Sequence, residues 1–346
     1  MAREPFQLVQ RAGVAWLRSG EFARLPCLVH GFSTRFAQPP GGSDRERQQQ
    51  VREFNLGLTE DARRRKVQAN RRRFFEALAD GFKAASLKQI HSATIYQVAN
   101  AGARRSGRTF RVKGLEYVAA GSGQPGREDQ AGSAIHDASA EPTPVTPIGE
   151  PLAAGDALVT AEPGILLTIR TADCLPVLLV DRRLRVMAAV HAGWRGTLAG
   201  VVEKTARELR RLYNSRPEDL VAALGPAIGP CCYEVGDEVV EAFRGRFSES
   251  DRFFHRPLAS SQRHRSELRY ALLFHTQAPP GHGRERARIH LDLAAAARAQ
   301  LLAAGHRPAA NAASGYCPAC REDLFFSYRR EGAQAGRMIA AIGLRR

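Results

Sequence analysis

Lysine is scarce in this chain. Of 346 residues 51 are basic, yet the lysines stand only at 66, 83, 88, 113 and 204. With 35 acidic residues the formal charge is +16. An Arg-rich, Ala-rich, Lys-poor composition reflects genomic base bias as much as function, so this charge does not by itself name a polyanionic partner. Arg63, Arg64, Arg65, Lys66, Arg71, Arg72 and Arg73 do cluster, which keeps nucleic-acid binding as a rival reading. A solvated helix face is the preferred reading of that run, and nucleic acid is not the expected partner.

Cysteine is sparse too. The positions 27, 174, 231, 232, 317 and 320 are too few for a disulfide scaffold, and reduced thiols are expected. No apolar run approaches the ~18 residues that a membrane helix needs; the longest, Cys174 to Val180, has the length of a strand. The first residues, MAREPFQLVQ, lack the apolar core of a signal peptide. A cytoplasmic protein with no membrane partner is expected. Hydrophobic residues make up 44%, enough for a sizeable core, which excludes a wholly disordered chain.

The pattern predicts a helix over 61–78 and a strand over 87–98. Residues 101–150 turn rich in Gly, Ala, Ser, Pro and charge, and read as a loop or flexible insertion. A GxGxxG match inside it, Gly121 to Gly126, carries Pro125 and opens no amphipathic helix, so it is rejected as a dinucleotide site. Strands are expected over 165–170, 174–180, 185–191 and 221–224. A helix is expected over 196–212, with Leu198, Val201, Val202, Thr205, Leu209 and Leu212 on one stripe. A second helix follows over 236–247 and a second polar insertion over 255–287. A helix over 291–304 and a strand over 325–328 close the chain.

Chemistry concentrates in TADCLPVLLVDRRLRVMAAVHAGWRG, residues 171–196. Two apolar strands flank a polar turn, Asp181 to Leu184. A hairpin centred between Arg182 and Arg183 sets Cys174 opposite His191, with Cβ atoms roughly 4.5–5.5 Å apart. Pro176 lacks a ladder donor and threatens a bulge. A thiolate and an imidazole so placed can share a metal or form a nucleophile–base pair. His91, in LKQIHS, is the best third ligand. One Cys and two His leave a fourth tetrahedral position open, the pattern of catalytic rather than structural zinc.

The motifs HGFSTR (30–35), NLGL (55–58), NR (70–71), QIHS (89–92), GDALVT (155–160), TADCLPVLL (171–179), VHAGWRG (190–196), GPAIGPCCYEVG (225–236), LDL (291–293) and FFSYRR...GR (325–337) follow in order. In these the chain resembles the YfiH family, also known as the laccase-domain or polyphenol-oxidase-like family. The resemblance covers nearly everything outside the two insertions. It implies a single α/β (α+β) domain over 1–346, with mixed β-sheets covered by helices, related to cysteine-dependent toxin deamidases. It implies the metal ligands His91, Cys174 and His191. It further implies purine nucleoside chemistry: phosphorolysis of adenosine, inosine and methylthioadenosine, with adenosine deamination. Nucleoside and inorganic phosphate are then the partners.

Ligand arithmetic weighs against a true multicopper oxidase, because the chain contains no His-x-His. A copper-rich preparation could load such a site with copper, which outcompetes zinc in raw affinity, and polyphenol oxidation would then be a side activity at best. The H-x-E and P-C-x-x-C signature of nucleobase deaminases is absent. The C-x-x-C of Cys317 and Cys320 lacks the second pair that a zinc knuckle needs, and reads as two unrelated thiols. Cys232 reads as a small core residue, and Trp194 and Phe326 as packing or base-stacking aromatics. Arg195, beside a helix start, or Arg71 with Asn70, are candidates to hold phosphate. Asp173 is a candidate general acid, Gln89 a support for His91, and Asp156 a cap or a ribose binder. A Cys174–His191 hydrolase editing peptidoglycan precursors is the alternative enzyme.

Overall fold

The computed structural model describes residues 5–36, 54–58, 64–100, 109–112, 115–119, 153–256 and 288–346. In chain order the strands are β1 Phe6–Arg11, β2 Val14–Ser19, β3 Leu28–Ser33, β4 Lys83–Ala85, β5 Ile95–Asn100, β6 Thr109–Val112, β7 Leu115–Ala119, β8 Ala157–Thr160 and β9 Ile165–Thr171. They continue with β10 Leu175–Asp181, β11 Met187–Ala192, β12 Leu220–Leu224, β13 Glu234–Val235, β14 Phe254–His255, β15 Ile289–Leu291, β16 Asn311–Ala313 and β17 Met338–Leu344. One sheet has the order β1-β2-β3-β17-β9-β4, a second β16-β12-β10-β11-β8-β5-β7-β6, and a small third β13-β15-β14. Pairing is antiparallel except for β4 with β9, β5 with β8 and β12 with β16, so both large sheets are mixed.

The two large sheets face each other. Leu178, Val180, Met187 and Ala189 of one pack with Leu167, Ile169, Ala340 and Ile342 of the other. Alternate residues turn outward: Val177, Leu179, Ala188 and Val190 meet the helices Val201–Tyr213 and Leu293–Ala303. On the far side, helix Arg64–Leu78 lays Phe74 and Ala77 on Val14, Val29, Leu166 and Ile339. This stack of helix, sheet, sheet and helices buries β10 on both faces, which is why its sequence is apolar without alternation. Each such Val or Leu contributes about 1.5–3 kcal/mol by burial. Arg64, Arg65, Arg72 and Arg73 stay on the exposed face of their helix, as the solvated reading of the basic run expects; Arg63 lies outside the described residues.

Several expected elements differ. The helix expected over 196–212 is two helices, Trp194–Leu198 and Val201–Tyr213, separated where Gly200 takes φ +77°. The strand expected over 87–98 begins only at Ile95, because residues 86–94 form an irregular segment pinned by side chains. Part of the first expected insertion is ordered: β6 and β7 pair antiparallel and extend the larger sheet beyond β5. The GxGxxG match and residues 257–287 lie outside the described residues. Residues 325–327 form no strand and lead into the short helix Tyr328–Glu331. Among the described residues no helix is long and apolar enough to cross a membrane.

Candidate metal and active centre

Asp156 organises the centre. It precedes β8 and is fully buried. Its Oδ2 accepts the Ser92 amide at 2.6 Å, the Ser92 hydroxyl at 2.7 Å and the Ile90 amide at 3.3 Å. Its Oδ1 accepts the His91 amide at 3.0 Å and lies 2.8 Å from His191 Nδ1. Its carbonyl accepts the His191 amide at 2.7 Å. One carboxylate thus ties residues 90–92 to β11. Three consecutive amides aimed at one side chain force a tight turn, and His91 takes φ +60° within it. Such a conformation costs of order 1–3 kcal/mol in a residue other than glycine and persists only when its surroundings fix it.

The β10–β11 hairpin closes later than expected. Pro176 faces His191 and Leu175 faces Ala192, a register two residues away from the expected one. Asp181 Oδ1 accepts the Arg183 and Leu184 amides at 2.8 Å each, and Arg185 takes φ +55° to close the turn. A shift of two leaves every side chain on its original face, whereas a shift of one would have reversed them. Cys174 and His191 therefore still converge, and the ladder passes Pro176 with continuous pairing.

The ligand atoms of His91, Cys174 and His191 all lie within 4.8 Å of one another. Cys174 Sγ is 3.8 Å from His91 Nε2, and the two imidazole rings meet edge to face with centroids 5.0 Å apart. Because Asp156 occupies His191 Nδ1, the Nε2 of that ring is left as the ligand atom. His191 is buried, Cys174 half-buried and His91 exposed, so the cluster opens to solvent on one side. Gly193 backs it closely: a Cβ there would stand 2.8 Å from His91 Cδ2 and 3.0 Å from Cys174 Sγ. Two imidazole nitrogens and one thiolate, with an open side, are a donor set that fits zinc in a catalytic arrangement.

The electrostatics bind these groups together. Burial pushes the Cys174 thiol up, but the His191 charge and hydrogen bonds from both histidines outweigh it, leaving the pKa at about 6. His191 moves the other way, to about 9: burial opposes its charge, and Cys174 and Asp156 more than restore it. Asp156 stays below the usual carboxylate range, since His191 and Ser92 overcome its burial.

Asp173 lies beside Cys174 at φ +88°. Its Oδ2 accepts the Arg329 amide at 2.6 Å, while Oδ1 has no hydrogen-bond partner among the described residues. Burial raises its pKa, and the Arg329 amide and the Ser327 hydroxyl offset this only in part. Burial also raises the Tyr233 phenol, as do the nearby charges of Cys174 and Asp173, whereas Arg329 and Arg195 lower it. Arg337 feels Cys174 and Asp173 as well. Arg195 is exposed, with its guanidinium 4.2 Å from the Trp194 ring. A cationic rim of Arg195, Arg329 and Arg337 thus borders the cluster.

Other expected site residues sit elsewhere. Asp156 has both oxygens engaged and is buried, so it orients His191 and is closed to a ribose. Gln89 is locked edge to edge with β9: its Nε2 donates to the Arg170 carbonyl at 2.7 Å and its Oε1 accepts the Arg170 amide at 2.9 Å. Buried Asn70 donates to the Asn55 carbonyl at 3.1 Å, and Arg71 Nε to the Leu56 carbonyl at 2.6 Å. They hold residues 55–57 against Arg337, whose amide donates to Asn55 Oδ1 at 2.9 Å. Phe326 is buried beneath Arg35, in a packing role. Sequence reasoning missed the roles of Gly193, Tyr233, Arg329 and Arg337. All four lie in quoted motifs, but only folding shows what they face.

The sequence profile described as multi-copper polyphenol oxidoreductase laccase matches residues 29–345. A purine nucleoside phosphorylase of Bacteroides thetaiotaomicron is 36% identical over 187 residues, 54% of this chain and 60% of that protein. Adenosine deaminase RL5, from an unknown prokaryotic organism, is 38% identical over 189 residues, 54% of this chain and 61% of that protein. The matches therefore span about three fifths of these relatives' length. The crystal structure of Bacillus licheniformis hypothetical protein YfiH superposes with a TM-score of 0.67 at 25% identity, covering 99% of each chain.

Proposed function

Because this chain belongs to the multi-copper polyphenol oxidoreductase laccase family and is similar to proteins named for purine nucleoside chemistry, we propose that it is a zinc-dependent purine nucleoside enzyme. The reactions are phosphorolysis of adenosine, inosine and methylthioadenosine to free base and (methylthio)ribose 1-phosphate, with deamination of adenosine beside it. The observation that carries this reading is the convergence of His91, Cys174 and His191 within 4.8 Å at a solvent-facing cluster. The reading places the chemistry in the cytoplasm, where a thiolate ligand stays reduced.

His91, Cys174 and His191 would hold the ion. Zinc bound there would act as a Lewis acid and activate water for deamination. The protein's own groups supply the rest. In phosphorolysis the bond from ribose C1′ to the base breaks, a phosphate oxygen bonds to C1′, and the departing base takes up a proton. Asp173 is suited to give that proton, since burial keeps its carboxyl protonated more readily than usual, against the Arg329 amide and the Ser327 hydroxyl. Arg195, with Arg329 and Arg337 nearby, provides the positive charge for phosphate. The helix at Arg195 is only five residues long, so the arginines themselves, more than a helix dipole, carry this role.

A second reading has its own observation. Asp156, His191 and Cys174 stand in line as orienter, base and nucleophile, with Asp156 Oδ1 2.8 Å from His191 Nδ1. That is the layout of a thiol hydrolase, suited to a peptide or amide of a cell-wall precursor. His91 Nε2 at 3.8 Å from the same sulfur favours the metal reading instead, because a nucleophile needs no second imidazole. Polyphenol oxidation would belong to a copper-loaded form.

A product assay decides. Purified protein is incubated with adenosine and phosphate, with and without a strong chelator, and the bases, inosine and ribose 1-phosphate are resolved by chromatography. Adenine and ribose 1-phosphate are expected, and His91→Ala and Cys174→Ala should each lower turnover by ~10³-fold or more. Arg195→Ala should raise the KM for phosphate while sparing deamination. No turnover by a folded, zinc-loaded sample would reject the reading and bring the hydrolase forward. In that case Cys174 should be readily alkylated in a metal-free sample.

A further inference from the structure

The C-x-x-C of Cys317 and Cys320, taken from sequence as two unrelated thiols, has a second pair after all. Folding brings Cys231 and Cys232 against it, and the four sulfurs all lie within 4.8 Å of one another. We infer that these four cysteines form a tetrathiolate site for one zinc ion, separate from the His91, Cys174 and His191 cluster. The inference does not depend on which reaction the other cluster performs.

Distances separate zinc from a disulfide. Cys320 Sγ is 3.4 Å from Cys231 Sγ and also 3.4 Å from Cys232 Sγ. A disulfide needs about 2.05 Å and a single partner. Four sulfurs around zinc at about 2.3 Å stand roughly 3.8 Å apart by tetrahedral geometry. The two spacings lie a few tenths of an ångström below that edge and far above a disulfide bond, and Cys320 favours neither neighbour. Thiolates without nitrogen or oxygen donors select soft cations, and a tetrahedral four-sulfur set suits zinc.

The backbone around the sulfurs is that of two facing turns. The amides of Cys232 and Tyr233 both donate to the Gly229 carbonyl at 2.9 Å. Those of Cys320 and Arg321 donate to the Cys317 carbonyl at 3.1 and 3.0 Å. Arg330 Nη1 clamps the intervening carbonyls of Pro318 and Ala319 at 2.7 and 3.0 Å. The carbonyls are thus turned away from the sulfurs and the thiols toward one another. The site is structural in kind, with four protein ligands and no open position. Its effect is to staple the 229–235 loop to the 317–321 turn. Tyr233, next to Cys232, borders the catalytic cluster, so the staple also fixes one wall of the active site.

The test uses the full chain, purified under reducing conditions, saturated with zinc and then desalted. Elemental analysis should find about two zinc ions per chain. In His91→Ala/Cys174→Ala one should remain, and X-ray absorption should show sulfur ligands only, at about 2.3 Å. In Cys317→Ser/Cys320→Ser the sulfur-only signal should vanish while the mixed nitrogen and sulfur signal stays. Should that variant fail to fold, cobalt added to the metal-free wild type provides a second measurement. It should give the intense thiolate-to-metal bands of a four-sulfur site, over and above those of a site with one thiolate. A single zinc in wild type that disappears with His91→Ala/Cys174→Ala would overturn the inference. So would a non-reduced peptide map showing Cys320 disulfide-linked to Cys231 or Cys232 in the freshly purified chain, or an iron–sulfur chromophore there.

Discussion

The molecule carries two sulfur-containing clusters, and they are built in different ways. The His91, Cys174 and His191 cluster is held by groups that are not ligands. Asp156 accepts hydrogen bonds from three successive amides, a hydroxyl and His191, and sits at the start of a strand buried on both faces. The four-cysteine cluster rests on two turns at the surface, with Cys231 and Cys320 exposed. Its sulfurs meet mainly one another. The first cluster is pre-formed by the fold, as the proposed catalytic role would require of a site that must keep its geometry. In the second, a bound ion would complete the fold locally by linking the two loops through their sulfurs.

The sharpest way to break this comparison is at Asp156. Replacing it with Asn keeps the shape but removes the negative charge that faces His191 and the second acceptor oxygen. Zinc affinity of the histidine-containing cluster should fall by ~10–100-fold, and turnover with it. The four-cysteine content should not change. Competition with a chromophoric chelator would measure both in one titration. If the loss fell equally on the two clusters, the variant would be acting through global instability, and the role assigned to Asp156 would be withdrawn.

Gly193 offers a smaller perturbation. A methyl at this position would meet His91 and Cys174 at 2.8 and 3.0 Å, closer than carbon contacts tolerate, so a ligand must shift. Overpacking of this kind costs ~1–3 kcal/mol. Gly193→Ala should lower kcat/KM by roughly tenfold, with zinc bound more weakly at this cluster and the melting temperature little changed. An alanine variant with unaltered kcat/KM would show that the ligands have room to move, and the site would be less rigid than Asp156 makes it.

These residues also mark what could be read from the chain. Cys174 and His191 were legible because strand periodicity preserves the face of a side chain, and that logic survived a register error of two. The apolar runs of β9, β10 and β12 were legible because strands buried on both faces leave no alternation to misread. His91 was legible as a residue but its conformation was not: nothing local announces φ +60°, which is imposed by Asp156 from 65 positions away. The four-cysteine cluster stayed hidden for a similar reason. A C-x-x-C signals metal only with its second pair, and here that pair lies 88 residues upstream of Cys320. Gly200 broke an expected helix because a stripe of apolar residues runs unchanged across a single left-handed residue.

His30 supplies the control for both clusters, a buried histidine with no ligand partner. Its Nε2 accepts the Ser19 amide at 3.0 Å, and its ring meets Phe22 edge to face at 5.1 Å. Burial and the charge of Arg18 push its pKa down to about 3, against a weaker upward pull from Ser19. His191 is raised to about 9 in the same protein because a carboxylate and a thiolate face it. The sign for His30 follows from proton counting. Between about pH 3 and the ordinary histidine value of 6.5 the unfolded chain binds a proton that the folded chain refuses. Stability from His30 is therefore complete above pH 6.5 and is lost as pH falls toward 3, by at most about 1.4 kcal/mol per unit. Asp156 adds to acid loss only lower, as pH falls below the carboxylate range. His30→Gln keeps an acceptor for Ser19 but cannot titrate. Urea unfolding between about pH 6.5 and 5 should show a shallower fall for the variant than for the wild type. Equal slopes would mean that His30 is as free to protonate in the fold as in the unfolded chain, and the contrast with His191 would rest on position alone.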